Sequence, residues 1–496
     1  MAIHDADLIS IQEARCLARE AKAAQQVFAG FTEDKVDSIL KNMVKAALDN
    51  TEELARMAVA ETGFGKVEDK IIKNKFASIN LYEYIKDMKT IGIIREDEKK
   101  GIIEIAEPVG VLLGIVPSTN PTSTAIYKSI IALKARDGIV FSPHPSALKC
   151  TYEAARLMAE AATEAGAPKG LIGCIKRPSM EATSELMRMP EIAMIIATGG
   201  SSMVKASYSA GKPALGVGPG NVPAYIEKTA DIKEAVRDII ASKSFDYGTI
   251  CASEQSVVVD ECIKDEVVEE FKKQGAYFMN EGEIEKLGDV LFTKGHAMNA
   301  EFVGRSPKEI AKKAGLNIPN NTSVLIGFQE GVGKDYPLSF EKLTTVLGFY
   351  TAKDWVEACD ICIRLINNGG IGHSLSIHTE DKDMVLKFAV KPVFRILVNT
   401  PSSLGGVGAT TGLAPSFTLG CGAWGGSSTS DNVTPMHLIN IKRVAYAIRD
   451  VNSIIPIDKM PIPQKTVTDE QIDIIVKRVI NAISVNKDKS GDGYGN

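Results

Sequence analysis

Two kinds of segment that would place this chain at a membrane or outside the cell are missing from its sequence. No run of about 18 uninterrupted apolar residues occurs, so we expect no transmembrane helix. Residues 1–7 lack the basic and then apolar pattern of a signal peptide. We therefore expect a cytosolic location, in which thiols stay reduced.

The sequence also lacks a basic run that would favour nucleic-acid binding. Its 57 lysines and arginines are outnumbered by 62 aspartates and glutamates, which gives a net charge of −5. Charged residues at 24% and hydrophobic residues at 45% are ordinary for a globular enzyme, and 496 residues allow two or three domains. We therefore expect small-molecule partners, with neither nucleic acid nor membrane among them.

Cysteine is scarce and scattered, with eight residues in the whole chain, so we expect no disulfide framework. Cys359 and Cys362 have C-x-x-C spacing, but they lie in a helical pattern without a second pair that would complete a zinc site. We interpret them as two inert helix thiols rather than a redox or metal pair. For any lone cysteine the default is a small buried hydrophobic residue.

Cys251 departs from that default because of its neighbours. It follows a glycine turn in the segment SFDYGTIC at 244–251 and precedes a β-run at 256–259. A thiol at a strand entrance, beside free backbone N–H groups, can attack a carbonyl carbon and stabilise the resulting oxyanion. The glycine-rich turn LGVGPGN at 215–221 contains no acidic residue.

The hydrophobic pattern predicts successive helices from residue 8 to about 90 and then alternating strands and helices. We predict strands at 111–117, 138–142, 171–175 and 192–197, and a second alternating series from Ile250 onward. Such an α/β series indicates open parallel sheets with ligands at the carboxyl ends of the strands. A proline-spaced linker at 454–463, a helix with one apolar stripe over 468–485 and a polar, glycine-rich tail follow.

Two loops after predicted strands are candidates for nucleotide binding. Thr198, Gly199 and Gly200 form a glycine turn before a helix, which is a natural site for a phosphate or ribose. The turn lacks the G-x-G-x-x-G fingerprint and is a weak signal by itself. His144, between two prolines, reads equally well as an ordinary loop histidine.

Three polar residues are candidates for the chemistry, and each has a structural alternative. Asn120 follows the first strand, where its amide could donate to an oxyanion together with the Cys251 N–H, but an Asn-Pro pair alone is usually a turn former. Glu341 precedes a predicted strand and would otherwise be a solvated charge. His373, in GGIGH, could assist a thiol exchange or be a satisfied loop histidine.

Eight segments together resemble the aldehyde dehydrogenase superfamily, in particular the aldehyde-oxidising half of the bifunctional acetaldehyde–alcohol dehydrogenases. They are ETG at 61–63, VEDKIIK at 67–73, PSTNPTSTA at 117–125, FSPHP at 141–145, GTICASEQS at 248–256, GGIGH at 369–373, NTP at 399–401 and LAPSFTLGCG at 413–422. The likeness runs from about residue 10 to 450 and does not include the iron-dependent alcohol dehydrogenase half. The chain also resembles stand-alone acylating enzymes of bacterial microcompartments.

The resemblance implies roles for particular residues. It makes Cys251 the nucleophile, Asn120 the oxyanion donor and His373 the candidate assistant in thiol exchange. It implies NAD and coenzyme A as cofactors, and it implies no metal. The residues it implies for cofactor binding are Thr119, His144, Pro145, Thr198, Gly199, Gly200, Met203, Gly218, Glu341 and Leu343.

Hydrolytic members of the family carry a glutamate where this chain has Val217, so the usual base for thioester hydrolysis is absent. The resemblance therefore implies an NAD-dependent, CoA-acylating enzyme that converts acetaldehyde or propionaldehyde to acyl-CoA. Three alternatives stay open. They are a functionalised aldehyde (succinate semialdehyde, sulfoacetaldehyde or butyraldehyde), a hydrolytic dehydrogenase, and a non-catalytic scaffold subunit.

The resemblance also implies the aldehyde dehydrogenase fold, of class α/β. We expect a helical N-terminus and Rossmann-like NAD/CoA-binding domain over 1–245, a catalytic domain over 246–400, and a return and oligomerisation segment over 401–450. A linker at 451–466 and an amphipathic helix with a disordered tail at 467–496 complete the prediction. We expect a homodimer or homotetramer. The helix at 468–485 either docks on the enzyme itself or binds a microcompartment shell or cargo protein, which would place the enzyme inside that compartment.

Overall fold

The computed structural model describes residues 5–293, 295–449, 470–474 and 476–478. The chain divides into two compact units, residues 1–95 with 104–443 and residues 96–103 with 444–496. The predicted linker at 451–466 and most of the predicted C-terminal helix lie outside the described residues. The described parts of that helix, 470–474 and 476–478, are helical. Among the described residues, no helix is long and apolar enough to cross a membrane.

The described helices, in chain order, are α1 (Ala6–Phe28), α2 (Glu33–Asp49), α3 (Thr51–Thr62), α4 (Val67–Lys75), α5 (Leu81–Ile85), α6 (Pro121–Lys134), α7 (Leu148–Glu164), α8 (Met180–Arg188), α9 (Ser201–Tyr208), α10 (Ile232–Ser244), α11 (Lys264–Lys273), α12 (Glu281–Leu291), α13 (Pro307–Ala314), α14 (Trp355–Asn367), α15 (Lys382–Phe388) and α16 (Ser402–Gly406).

The described strands are β1 (Gly92–Asp97), β2 (Ile102–Pro108), β3 (Val111–Val116), β4 (Gly138–Pro143), β5 (Ile172–Cys174), β6 (Ile192–Thr198), β7 (Ala214–Val217), β8 (Val222–Ile226), β9 (Glu254–Asp260), β10 (Ala276–Met279), β11 (Val324–Phe328), β12 (Val346–Ala352), β13 (Gly372–His378), β14 (Val393–Val398) and β15 (Ile439–Ala445).

The first sheet has five parallel strands in the order β5-β4-β3-β6-β7. Its central strand β3 is buried along its whole length, as expected for a parallel strand covered on both faces. Helix α6 is also buried throughout, so it forms part of the core rather than the surface. This arrangement confirms the predicted Rossmann-like sheet and places the ends of β3, β4, β6 and β7 at one edge.

The second sheet has seven parallel strands in the order β10-β11-β12-β9-β8-β13-β14. It begins earlier in the chain than the predicted start at Ile250, because β8 already belongs to it. The short run VPAYI of β8 contains Pro223, which weakens its strand signal in the sequence. The predicted domain boundary at 245/246 remains a prediction.

A third sheet has the order β1-β2-β15. Strand β1 was not predicted, because its sequence GIIRED lacks apolar alternation, and the strand is largely exposed.

The pair Cys359 and Cys362 lies on the buried face of α14, which confirms the predicted helical setting of the C-x-x-C pattern. No cluster of histidine, cysteine, aspartate or glutamate that could hold a metal occurs within the described ranges.

Candidate active site

A cavity of about 360 Å³ lies at the carboxyl edge of the first sheet. Residues that follow β3, β4, β6 and β7 form one wall, and residues that precede β9 and β12 in the second sheet form the other. Most of the predicted site residues line it. They are Thr119, Asn120, His144, Thr198, Gly199, Gly200, Gly218, Cys251, Glu341 and Leu343.

Three predicted residues lie elsewhere. Pro145 begins a single 3-10 turn after β4. Met203 packs against the core of the first sheet from the first turn of α9. His373, at the start of β13, does not line the cavity but contacts Cys251 from behind.

Cys251 follows a turn at Phe245–Gly248 that aims the chain into the cavity. Asp246 and Tyr247 both adopt left-handed conformations, with φ of 46° and 52°, which non-glycine residues rarely hold without support. Gly248 has φ of +72°, and a Cβ there would approach the Thr344 carbonyl oxygen to 2.8 Å. The turn is therefore fixed by its surroundings, and the thiol that follows has a defined position.

His373 and Cys251 form a hydrogen-bonded pair. The His373 Nε2 atom lies 3.2 Å from the Cys251 sulfur, and His373 Nδ1 lies 3.0 Å from the Ser374 hydroxyl. Arg395 donates from Nη1 to the His373 carbonyl oxygen at 2.9 Å, which holds the start of β13. His373 is thus in contact with the thiol. The sequence had predicted it as either a loop histidine or an assistant to the thiol.

Burial keeps both members of this pair neutral. It raises the pKa of the Cys251 thiol to about 12, and the negative charge of Glu341 adds to that rise. It lowers the pKa of His373 to about 3, with a further contribution from the Arg395 charge. The resting pair is therefore a thiol beside a neutral imidazole, and the imidazole can accept the thiol proton's hydrogen bond.

The side-chain amide of Asn120 lies across the cavity from this pair. Its Nδ2 donates to the Thr249 carbonyl oxygen at 3.2 Å, and its Oδ1 accepts from Lys73 Nζ at 2.6 Å. Asn120 is also the residue that precedes α6, whose first residue is Pro121. Both Asn120 and Cys251 border the same space, as an oxyanion donor and a nucleophile require.

A buried charged cluster lies beneath Asn120, and sequence reasoning did not assign it a role. Lys70 and Lys73 of α4 both donate to the Asp246 carboxylate, and all three side chains are at most 3% exposed. The segment VEDKIIK at 67–73 contains both lysines and was part of the family resemblance. That segment was the available signal, but it does not reveal a partner more than 170 residues away.

The wall formed by Gly199, Gly200 and Gly218 fits a nicotinamide nucleotide. A Cβ added at any of these glycines would meet no atom within 4 Å, so their backbone borders open space. Helix α9 begins after Gly200 without a side-chain cap, which leaves its first N–H groups for a ligand. Glu341 lines the same cavity and accepts a hydrogen bond from the Gly220 N–H at 2.9 Å.

Val217 ends β7 and lines the cavity. The family resemblance predicts that hydrolytic members have a glutamate at this position. The side chain of Val217 is 3% exposed. Glu341, the acid in the cavity lining, has its pKa raised to about 7 by burial, which the Gly220 hydrogen bond and the Lys243 charge oppose. The aliphatic side chain of Val217 itself cannot act as a base toward water, and Glu341 is the acidic residue of the lining.

The chain is similar to known proteins over most of its length. A model described as "Aldehyde dehydrogenase family" matches residues 2–283. The chain is 49% identical to a bifunctional aldehyde-alcohol dehydrogenase of Escherichia coli (strain K12) over 442 residues, which are 88% of this chain and 50% of that protein. It thus spans about half the length of the aldehyde-alcohol dehydrogenases among its curated relatives.

Three solved structures have similar folds. An acetylating aldehyde dehydrogenase from Geobacillus thermoglucosidasius is 53% identical, with a TM-score of 0.89 over 92% of this chain and all of that one. A propionaldehyde dehydrogenase from a Clostridium phytofermentans microcompartment is 29% identical, with a TM-score of 0.80 over 88% and 97% of the two chains. A Rhodopseudomonas palustris propionaldehyde dehydrogenase, with bound CoA and an acylated cysteine, is 27% identical, with a TM-score of 0.78 over 87% and 97%.

Proposed function

The chain belongs to the aldehyde dehydrogenase family, and we propose that it oxidises a short-chain aldehyde and transfers the acyl group to coenzyme A. The observation that carries this proposal is the arrangement around Cys251. A thiol in contact with a neutral imidazole faces an amide donor, and the wall at Val217 has no base. These groups support formation of a thioester that is protected from water.

The first step is attack by Cys251 on the carbonyl carbon of the aldehyde. The sulfur forms a bond to that carbon while the thiol proton moves toward His373 Nε2, 3.2 Å away. The carbonyl π electrons move to the oxygen, and the oxyanion is held by the Asn120 Nδ2–H and the Cys251 N–H. Loss of one such donor typically costs about 10²–10³ in rate.

Oxidation requires a hydride acceptor beside this intermediate. The glycine wall at Gly199, Gly200 and Gly218 and the carboxylate of Glu341 would hold a nicotinamide nucleotide. A bound NAD would supply the acceptor for the hydride, and its positive charge would favour the Cys251 thiolate. We propose NAD as the acceptor, which is the cofactor that the family resemblance implies.

The thioester on Cys251 then needs a nucleophile other than water. The proton from the first step passes from His373 to solvent, because the pKa of that imidazole is lowered to about 3. The CoA thiol then attacks the thioester carbon as its proton passes to His373 Nε2, the bond to Cys251 breaks, and the departing sulfur takes that proton. Val217 supports this outcome, because an aliphatic side chain cannot activate water where a glutamate could. The acylated cysteine and bound CoA of the Rhodopseudomonas palustris relative fit the same chemistry.

One assay tests the proposal. The purified chain is mixed with acetaldehyde or propionaldehyde and NAD, with and without CoA, and NADH, acyl-CoA and free acid are measured. We expect steady NADH and acyl-CoA formation with CoA, and a single-turnover burst of NADH without it. Equal steady rates with free acid as product would establish a hydrolytic enzyme instead, and the absence of any burst would establish a non-catalytic chain.

We further propose acetaldehyde or propionaldehyde as the substrate, because the similar structures include an acetylating aldehyde dehydrogenase and a propionaldehyde dehydrogenase. The cavity of about 360 Å³ includes cofactor space as well, so a small aldehyde fits best. Succinate semialdehyde is the second candidate, since an acetylating dehydrogenase for it from Clostridium kluyveri is 37% identical over 88% of this chain and 96% of that one. A panel of these three aldehydes, compared by kcat/KM, decides between them.

We propose that the C-terminal segment directs the enzyme, as a homo-oligomer, into a bacterial microcompartment. Support comes from the described helical residues, where Ile472 and Val476 are 47% and 46% exposed, and from the microcompartment source of one similar structure. Truncation after Pro463 should leave kcat unchanged and abolish co-purification with shell proteins. Loss of activity or of oligomerisation on truncation would instead indicate docking on the enzyme itself.

A further inference from the structure

We propose that Lys73 is a positioning residue for the oxidation step, which holds and polarises the amide of Asn120 through a buried ammonium group. The contact is direct, because Lys73 Nζ donates to Asn120 Oδ1 at 2.6 Å. The proposal rests on the proposed function only in its use of Asn120 as the oxyanion donor. It concerns how that donor is aimed, and it gives a role to the lysine that ends the VEDKIIK segment.

The orientation of the Asn120 amide follows from the groups around it. An ammonium group has donors and no acceptor, so the amide oxygen must face Lys73. The Thr249 carbonyl oxygen accepts from the other end of the amide at 3.2 Å and therefore also requires Nδ2 on the cavity side. A 180° flip of the amide would place two donors together at Lys73 and two acceptors together at Thr249. The second N–H of this amide donates to the Thr119 hydroxyl at 3.2 Å, so the pair fixes the N–H groups on the side of Thr119 and Thr249, which both line the cavity.

The position of Lys73 itself is over-determined. Its ammonium group also donates to the Asp246 carboxylate and to the Thr249 hydroxyl at 3.0 Å. Asp246 in turn accepts from the Lys66 N–H at 2.8 Å, and a Cβ at Gly65 would lie 1.8 Å from Asp246 Oδ1. Only glycine at 65 therefore allows this close approach, which ties α4 to the turn that precedes Cys251.

The left-handed turn at Asp246 also helps to hold the contact between Asp246 and Lys73. Its φ of 46° is unfavourable for an aspartate, and its N–H donates to Asp69 Oδ2 at 2.7 Å in that conformation. The same few residues thus position Asn120 through Lys73 and position Cys251 through the turn. The nucleophile and its oxyanion donor share one buried anchor.

A charged group at this place strengthens the donor as well as aiming it. An ammonium ion on the amide oxygen draws electron density from the amide, so Nδ2–H becomes a stronger donor to an oxyanion. Two lysines face one carboxylate, Asp246, and Lys66 pairs with the nearby Asp69, so the cluster beneath Asn120 has three ammonium groups for two carboxylates. Burial lowers the pKa of Lys73 to about 8, although Asp246 opposes that shift, so Lys73 is mostly protonated at neutral pH.

A double-mutant cycle tests the proposal. The variants Asn120→Ala, Lys73→Met and the double variant are compared by the rate of the NADH burst without CoA, which reports acyl-enzyme formation. We expect Asn120→Ala to lower this rate by about 10²–10³-fold. We expect Lys73→Met to lower it by roughly tenfold to a hundredfold, and the double variant to match Asn120→Ala within about twofold.

The matched control is Lys70→Met, which removes an ammonium group from the same carboxylate. Lys70 donates to the Thr119 carbonyl oxygen at 3.0 Å and does not touch the Asn120 side chain, so its loss should lower the rate less than Lys73→Met does. Losses that multiply in the double variant, or equal losses at Lys70 and Lys73, would overturn the proposal. Failure of the proposed function is distinct, because the unmodified chain would then show no burst at all.

The pH profile separates aiming from a merely structural role. As pH rises through about 8, Lys73 loses its proton and the burst rate of the unmodified enzyme should bend downward from the rise that thiol ionisation produces. Lys73→Met should lack this bend at unchanged NAD affinity. Thermal unfolding checks that the variant is folded, and Lys73→Gln replaces it in the same cycle if methionine is not accommodated. A bend that persists in both variants would contradict the assignment.

Discussion

The groups on the two sides of Cys251 differ in charge, and we expect each to assist attack on the aldehyde in a different way. On one side a charged cluster of Lys70, Lys73 and Asp246 lies beneath Asn120 and holds it by ion pairs. On the other side His373 is buried and neutral, and it contacts the sulfur. The charged side is suited to bind the negative oxygen that forms during attack, and the neutral side is suited to accept a proton and return it.

This difference suggests how Cys251 could act as the proposed nucleophile although burial raises the pKa of its thiol to about 12. Burial penalises the thiolate, so a free thiolate would be rare in the empty cavity. The proton therefore has to move to His373 as the sulfur attacks, and the negative charge has to arrive at once on an oxygen that Asn120 already faces. Neither side suffices alone, because charge separation without a waiting donor is costly in a low-dielectric pocket.

The largest expected effect comes from removing the Cys251 sulfur, on which both sides of the site act. Cys251→Ala should abolish the NADH burst and acyl-CoA formation, with the thermal midpoint and NAD affinity nearly unchanged, because the side chain is at the cavity and outside the main core. Cys421→Ala is the control, since it removes a buried thiol nearby that does not line the cavity. Substantial turnover in the Cys251 variant would rule out the thioester route.

The neutral side is tested by His373→Ala. Loss of a proton-transfer partner typically costs about 10²–10⁴ in rate, and we expect the lower end because the Asn120 side remains intact. Since the pKa of His373 is lowered to about 3, the imidazole stays neutral at working pH and the burst rate should show no imidazole inflection between pH 5 and 7. An inflection there that disappears in the variant would mean that His373 titrates between pH 5 and 7 and not near 3. Ser374→Ala, which removes the partner of Nδ1, should cost less.

Local pattern was enough to predict much of the fold and of the chemistry. The predicted strands at 138–142 and 192–197 match β4 and β6 within one residue at each end. Both elements have strong apolar patterns, since they are core elements. Cys251 and Asn120 were predicted from short motifs beside such elements, and both line the cavity.

The rest depended on contacts that sequence order does not reveal. Lys73 reaches Asn120 over 47 positions and Asp246 over 173, so no local period links them. The sequence allowed His373 to be either an assistant to the thiol or a loop histidine, because its partner, the Cys251 sulfur, is 122 positions away. The neutral state of that pair also follows from burial, and burial of a single polar residue is a property of the packed structure rather than of its neighbours in sequence.

The smallest expected effect comes from placing an ionisable group at Val217, in the cavity wall. Val217→Glu places a carboxyl group at the cavity wall, where it could activate water and release free acid from the acyl-enzyme without CoA. We expect a gain of roughly tenfold or less, because Gly218 and Pro219 also differ from the hydrolytic turn and the wall at Val217 is shaped for an aliphatic side chain. Burial at this site should raise the pKa of the new carboxyl group, so the gain should increase with pH as the group ionises.

Val217→Gln is the control of similar size without a base. An equal release of acid from the glutamine variant, or from the unmodified enzyme, would mean that the absence of a base at Val217 is not what protects the thioester.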